Sequence, residues 1–109
     1  MKYGKHPLAE GDMWKTLRHV VSETEGFYLR LSNDANPVQR VLLFFPHGTV
    51  SLLVMIWPGA KLDAKQIRRI ERFRDYGIPV YYSGSPDGVI GAVAAAAQGI
   101  DLGVKNCYP

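Results

Sequence analysis

Apolar positions along the chain change their period from helix to strand and back. Between Leu8 and Glu23, Met13, Leu17, Val20 and Val21 recur at helical spacing with Lys15, Arg18 and Glu23 among them. That pattern predicts an amphipathic first helix, ended near Gly26. Phe27 to Leu31 is a short β-prone segment, and the following SNDANP is dense in turn formers and reads as a loop. VQRVLLFF and TVSLLVMIW are then two apolar, β-rich runs joined by PHG, the pattern of a hairpin. Both are apolar on both faces toward their ends, so these strands are expected at the centre of a sheet covered on two sides.

Asp63 stands where an N-cap belongs, and a helix is predicted from Ala64 to about Tyr76, closed by Gly77. IPVYYS reads as a further strand. Ser85 and Pro86 open a last helix, Asp87 to Gln98, with the small-residue face AVAAAAQ. The order α-β-β-β-α-β-α predicts a three-layer-like α/β domain around a central mixed sheet.

The chain has 109 residues, 47% of them apolar, which fits one small domain, residues 1–109, with 1–7 and 100–109 peripheral. No stretch has the build of a signal peptide, and the longest apolar run, Ser51 to Trp57, is too short to span a bilayer. A cytoplasmic protein without membrane contact is therefore expected. A single cysteine, Cys107, rules out an internal disulfide and a multi-cysteine metal site. The formal charge is only +3, so its distribution matters more than its sum. Six of the thirteen Lys and Arg side chains lie in one stretch: Lys61, Lys65, Arg68, Arg69, Arg72 and Arg74.

The segment PHGTVSLLVMIWPGAKLDAKQIRRIERFRDYGIPVYYSGSPDGVIGAV resembles the VRR-NUC domain of the PD-(D/E)XK nuclease superfamily. The turn Pro58-Gly59-Ala60-Lys61-Leu62, Gln66 on the helix after it, the run Ile70 to Gly77 and Ser85-Pro86-Asp87 carry the likeness, which is strongest from Pro46 to Val93. It implies a restriction-endonuclease-like fold. It also implies a Pro-Asp pair opening one central strand and Glu-x-Lys on the next, the groups that bind a metal ion and cut phosphodiesters. Registered on the two turns, this chain has Gln39 and Arg40 at the Pro-Asp positions and Val54 and Ile56 at the Glu and Lys positions.

Hard divalent ions need oxygen ligands, and the bound metal activates water and neutralises the scissile phosphate. Val and Ile supply no such oxygen, and a guanidinium, protonated in any protein environment, repels the cation. The expectation is a pseudoenzyme with no catalytic residue, no metal and no cofactor. Glu10, Asp12 and Asp34 are the acids that a relocated metal site would draw on. They equally fit the first turn of a helix and a turn residue.

Lys61, Lys65, Arg68, Arg69 and Arg72 fall on one arc of the predicted helix, opposite Leu62, Gln66, Ile67, Ile70 and Phe73. A phosphate-tracking stripe and an ordinary solvated face both fit this arc, and aromatic residues among its cations are few. Arg30 falls near a basic position of the family pattern; if it shares the old cleft with Arg40, that cleft is cationic, either holding a phosphate or filled by side chains. His6, His19 and His47 lack ligand spacing. Trp14 and Trp57 fit core packing, with an exposed, partner-anchoring Trp57 as the alternative. The Ala92 to Ala97 face suits internal packing or self-association.

The function expected first is a catalytically inactive, nuclease-like binding protein. Its concrete form would be a phage or mobile-element inhibitor of a host nucleic-acid defence system, of anti-CRISPR or anti-restriction type, whose partner is a host protein or nucleoprotein complex. A noncatalytic module binding the DNA or RNA backbone is the alternative, and an active nuclease with relocated ligands the third. The resemblance to small VRR-NUC proteins also implies a homodimer.

Overall fold

The computed structural model describes residues 5–31 and 37–99. The chain runs α1 (Lys5–Glu23), β1 (Phe27–Arg30), β2 (Val38–Phe45), β3 (Thr49–Ile56), α2 (Ala64–Asp75), β4 (Val80–Ser83) and α3 (Pro86–Gln98), with one turn of 3-10 helix, Pro46–Gly48, between β2 and β3. Four strands form one sheet in the order β1-β2-β3-β4. β1, β2 and β3 are antiparallel neighbours, and β4 joins β3 in parallel through α2. The mixed sheet and the element order are those expected.

Side chains alternate across the pleat, so the sheet divides the interior into two cores. On one face Val41, Leu43, Phe45, Leu53, Met55, Trp57 and Tyr81 pack against Met13, Leu17 and Val21 of α1 and Val89, Ala92 and Val93 of α3. On the other, Val38, Leu52, Val54, Ile56, Val80 and Tyr82 pack against Ile70 of α2, with Leu42, Leu62, Phe73 and Ile78 at the margin. Among the described residues, two helices therefore cover one face and a single helix the other. α2 is seated by its buried Ile70 against Val38, Leu52, Val54, Ile56, Val80 and Tyr82, and among the described residues Phe27 and Leu29 of β1 stay exposed on that face.

Local chemistry fixes the helix ends. α1 starts three residues earlier than its apolar period suggests. Pro7 is tolerated in a first turn, whose N–H groups have no intrahelical acceptor. At its other end the left-handed residue is Glu25, φ +60°, while the Gly26 N–H donates to the Val21 carbonyl at 3.0 Å. Gly26 is required for a different reason: a Cβ there would lie 2.6 Å from the Phe44 carbonyl oxygen, so a side chain would push β1 away from β2.

α2 opens with the Asp63 carboxylate accepting from the Gln66 N–H and the Gln66 side chain accepting from the Asp63 N–H, a reciprocal pair that satisfies two otherwise orphan donors. α3 ends at Gly99 in the left-handed region, φ +74°. Ala92, Ala95 and Ala96 are buried on the side of α3 that meets α1 and the sheet, so this part of the small-residue face is internal packing.

Candidate functional site

The β2–β3 ladder pairs Arg40 with Val54 and Val38 with Ile56. Alternation puts all four on one face, under α2. The strand positions that the resemblance assigns to a metal site therefore converge here, and they carry Arg40, Val54 and Ile56. Val54 is fully buried and Ile56 is 7% exposed, both within the apolar cluster around Ile70. Gln66 is at hand on α2, but its Oε1 accepts the Asp63 N–H at 2.9 Å and is engaged in the helix cap.

Val38, Arg40, Gln66, Arg69 and Ile70 enclose only about 40 Å³, room for water but not for a nucleotide. Arg40 and Arg69 also border a wider, open groove of about 510 Å³, completed by Arg72, Phe73 and Tyr76. Among the described residues, three guanidiniums and two aromatic rings thus face one channel between β2 and α2, and none of these lining side chains is acidic. Arginine suits such a site because its planar fork meets phosphate oxygens in pairs and keeps its charge.

The rest of the basic arc behaves differently. Lys61 is exposed in the turn before α2, and Lys65 and Arg68 are exposed on the outer side of the helix. There Lys65 and Arg68 share a surface with Glu71 and Asp75 that Arg69 and Arg72 also border, and Glu71 pairs with Arg74. The outer face of α2 is therefore mixed in charge, the groove lining among the described residues is cationic, and Arg69 and Arg72 border both. Of the predicted binding residues, Arg40, Arg69 and Arg72 are brought together.

Arg30 does not join them. It is in register with Val41, on the α1 side of the sheet, where its guanidinium stacks 4.2 Å from the Trp14 ring centroid. The condition for a cleft shared by Arg30 and Arg40 is not met: the sheet stands between the two side chains. The exposed Trp57 offered as an alternative is corrected too, for Trp57 is 6% exposed and lies 6.2 Å from Trp14, centroid to centroid.

Asp12 is exposed on α1, a helix packed on the far face of the sheet from Val54 and Ile56. Among the described residues no three His, Cys, Asp or Glu side chains are grouped as metal ligands. His19 is exposed and pairs with Glu23 at 3.3 Å. The side chains of His6, Glu10 and His47, with Asp34 and Cys107, lie outside the described residues. No helix among the described residues is long and apolar enough to cross a membrane.

Two features were missed in the sequence. Tyr76, 81% exposed, lines the groove; its signal is the spacing 69, 72, 76, which continues the Arg69 and Arg72 ridge by one more turn. Phe27, Leu29 and Leu31, 58%, 51% and 38% exposed, form an apolar strip on β1 and just beyond it. Its signal is the alternation in FYLRL, in which every second residue is a large apolar one.

A search of solved structures finds a protein described as a VRR-NUC domain, with a TM-score of 0.60 and 24% sequence identity, covering 79% of this chain and 95% of that one. The fold is that of a VRR-NUC domain. No protein-family model matches the chain, and no curated protein does. The VRR-NUC fold accounts for the position of the groove: α2 follows the strand that bears Val54 and Ile56, and its flank stands beside β2 and Arg40.

Proposed function

We propose that the chain is a noncatalytic binding module on the VRR-NUC fold, and that the groove between β2 and α2 takes the phosphate backbone of DNA or RNA. The observation that carries this reading is Arg40, the register partner of buried Val54, bordering the same groove as Arg69 and Arg72. A guanidinium and two alkyl side chains offer a divalent cation no ligand, whereas three guanidiniums on one channel favour a polyanion. Each phosphate neutralised on a duplex releases counterions and adds about −0.9 to the slope of log affinity against log salt, so three contacts predict a slope near −2.7.

The test is fluorescence anisotropy of a labelled random-sequence duplex between roughly 50 and 200 mM salt. Binding that falls log-linearly with salt, and is lost in the triple variant Arg40→Ala, Arg69→Ala, Arg72→Ala, is expected. A folded protein that fails to bind at low salt, or a triple variant that binds like the parent, overturns the reading.

One observation favours a second reading, that of a protein-binding module, of which a phage or mobile-element inhibitor acting on a host defence protein would be the concrete form. Phe27, Leu29 and Leu31 leave an apolar strip open to solvent, and such strips serve protein contacts. Co-purification of a defined nuclease or nucleoprotein complex, lost in Leu29→Asp, would support it; retention of the complex by that variant would oppose it.

A further inference from the structure

We infer that the cationic groove and the exposed β1 strip on the same face form one site for single-stranded nucleic acid, with the backbone along Arg40, Arg69 and Arg72 and bases stacked on Tyr76 and Phe27. This rests on the backbone-binding reading above and narrows its ligand.

The first support is continuity. Phe27 pairs with Phe44 and Leu29 with Leu42, and the Leu31 N–H donates to the Arg40 carbonyl at 2.8 Å. Leu42 belongs to the core margin under α2, so alternation along β1 and β2 sets Phe27, Phe44, Leu29, Leu42, Leu31 and Arg40 on the face that α2 only partly covers. The apolar strip and the arginine groove meet at Arg40. From Phe44 to Arg40 is four residues, roughly 13 Å of strand, about four stacked nucleotides at 3.4 Å each.

The second support is the kind of side chain left exposed. Phe27 stacks on Phe44 with centroids 4.7 Å apart and planes 12° from parallel, yet Phe27 stays 58% exposed. Tyr76 is 81% exposed while lining the same channel as the arginines. In a duplex the base faces are already stacked on one another, and rings so placed meet only sugar and phosphate. In a single strand each base offers a free π-face, and guanidiniums tracking the backbone with rings receiving bases is the usual division of labour. An acidic protein segment is the competing occupant.

The experiment compares a labelled oligo-dT of about a dozen nucleotides with a duplex of equal length by anisotropy at one salt concentration, in the parent chain and in Phe27→Ala, Tyr76→Ala and Tyr76→Phe. Thermal melts verify that the variants are folded. The single strand is expected to bind more tightly than the duplex. Each alanine variant should weaken single-strand binding about five-fold or more with the duplex unchanged, and Tyr76→Phe should keep parental affinity because it keeps the ring. If the duplex binds and the alanine variants bind oligo-dT like the parent, the inference fails while backbone binding stands. If neither nucleic acid binds, both fail. If a peptide of alternating Glu and Leu binds instead and is released by the same variants, the site belongs to an acidic protein segment and the inference is overturned.

Discussion

Arg40 stands directly across the β2–β3 ladder from Val54, on the sheet face against which Ile70 of α2 packs. A carboxylate pair held together here would grip a cation; an arginine opposite a fully buried valine makes the same place apolar below and cationic at the rim. The consequences are testable side chain by side chain.

A glutamate in place of Val54 would be a buried charge facing Arg40 across the ladder. Val54→Glu is expected to destabilise the fold, and by about 0.5–3 kcal/mol more when Arg40→Ala is also present, because the two face each other. Urea denaturation of the parent, both single variants and the double variant measures that coupling. Additive behaviour would mean that the side chains do not meet.

Ile70 is the fully buried contact that ties α2 to the sheet. Ile70→Ala should cost about 2–5 kcal/mol, the transfer and cavity terms for a large-to-small change in a tight core. A loss well below this range in chemical denaturation would show that α2 is held mainly by something else.

Asp63 and Gln66 cap each other at the start of α2. Asp63→Ala should lower stability by about 0.5–2 kcal/mol, and at about 4–8 °C per kcal/mol for a domain near this size the midpoint should drop by several degrees. Calorimetry of the variant is the check.

Arg30 and the groove arginines should separate cleanly. Arg30→Ala removes a cation–π contact with Trp14 and should cost about 0.5–1 kcal/mol of stability while leaving the salt dependence of duplex binding unchanged. Arg69→Ala or Arg72→Ala should each flatten that dependence by about 0.9. Equal effects on the slope from all three would place Arg30 at the nucleic acid and contradict the two-faced arrangement.

Much of the fold was legible because short-range chemistry dictates it. The apolar runs 38–45 and 49–57 hold strand residues whether read by composition or by period, and Asp63 and Gln66 announce a helix start three residues apart. The convergence of Arg40, Val54 and Ile56 followed from a turn of fixed length, which sets a hairpin's register. The placement of Arg30 was not legible, since the parity of β1 against β2 is set across a loop rather than a tight turn. Nor was it clear which side of FYLRL is buried, for Tyr28 and Leu29 are both large and apolar enough to face a core. Gly26 read as a helix terminator, whereas its work is to let β1 approach the Phe44 carbonyl, a tertiary constraint with no local signature.

The most direct measurement is incubation of the purified chain with supercoiled plasmid and with Mg²⁺ or Mn²⁺, followed by agarose electrophoresis. The plasmid should remain uncut while the same preparation retards it at low salt. Metal-dependent nicking that disappears on Glu10→Ala or Asp34→Ala would contradict a noncatalytic groove and would mean that the fold carries a relocated metal site.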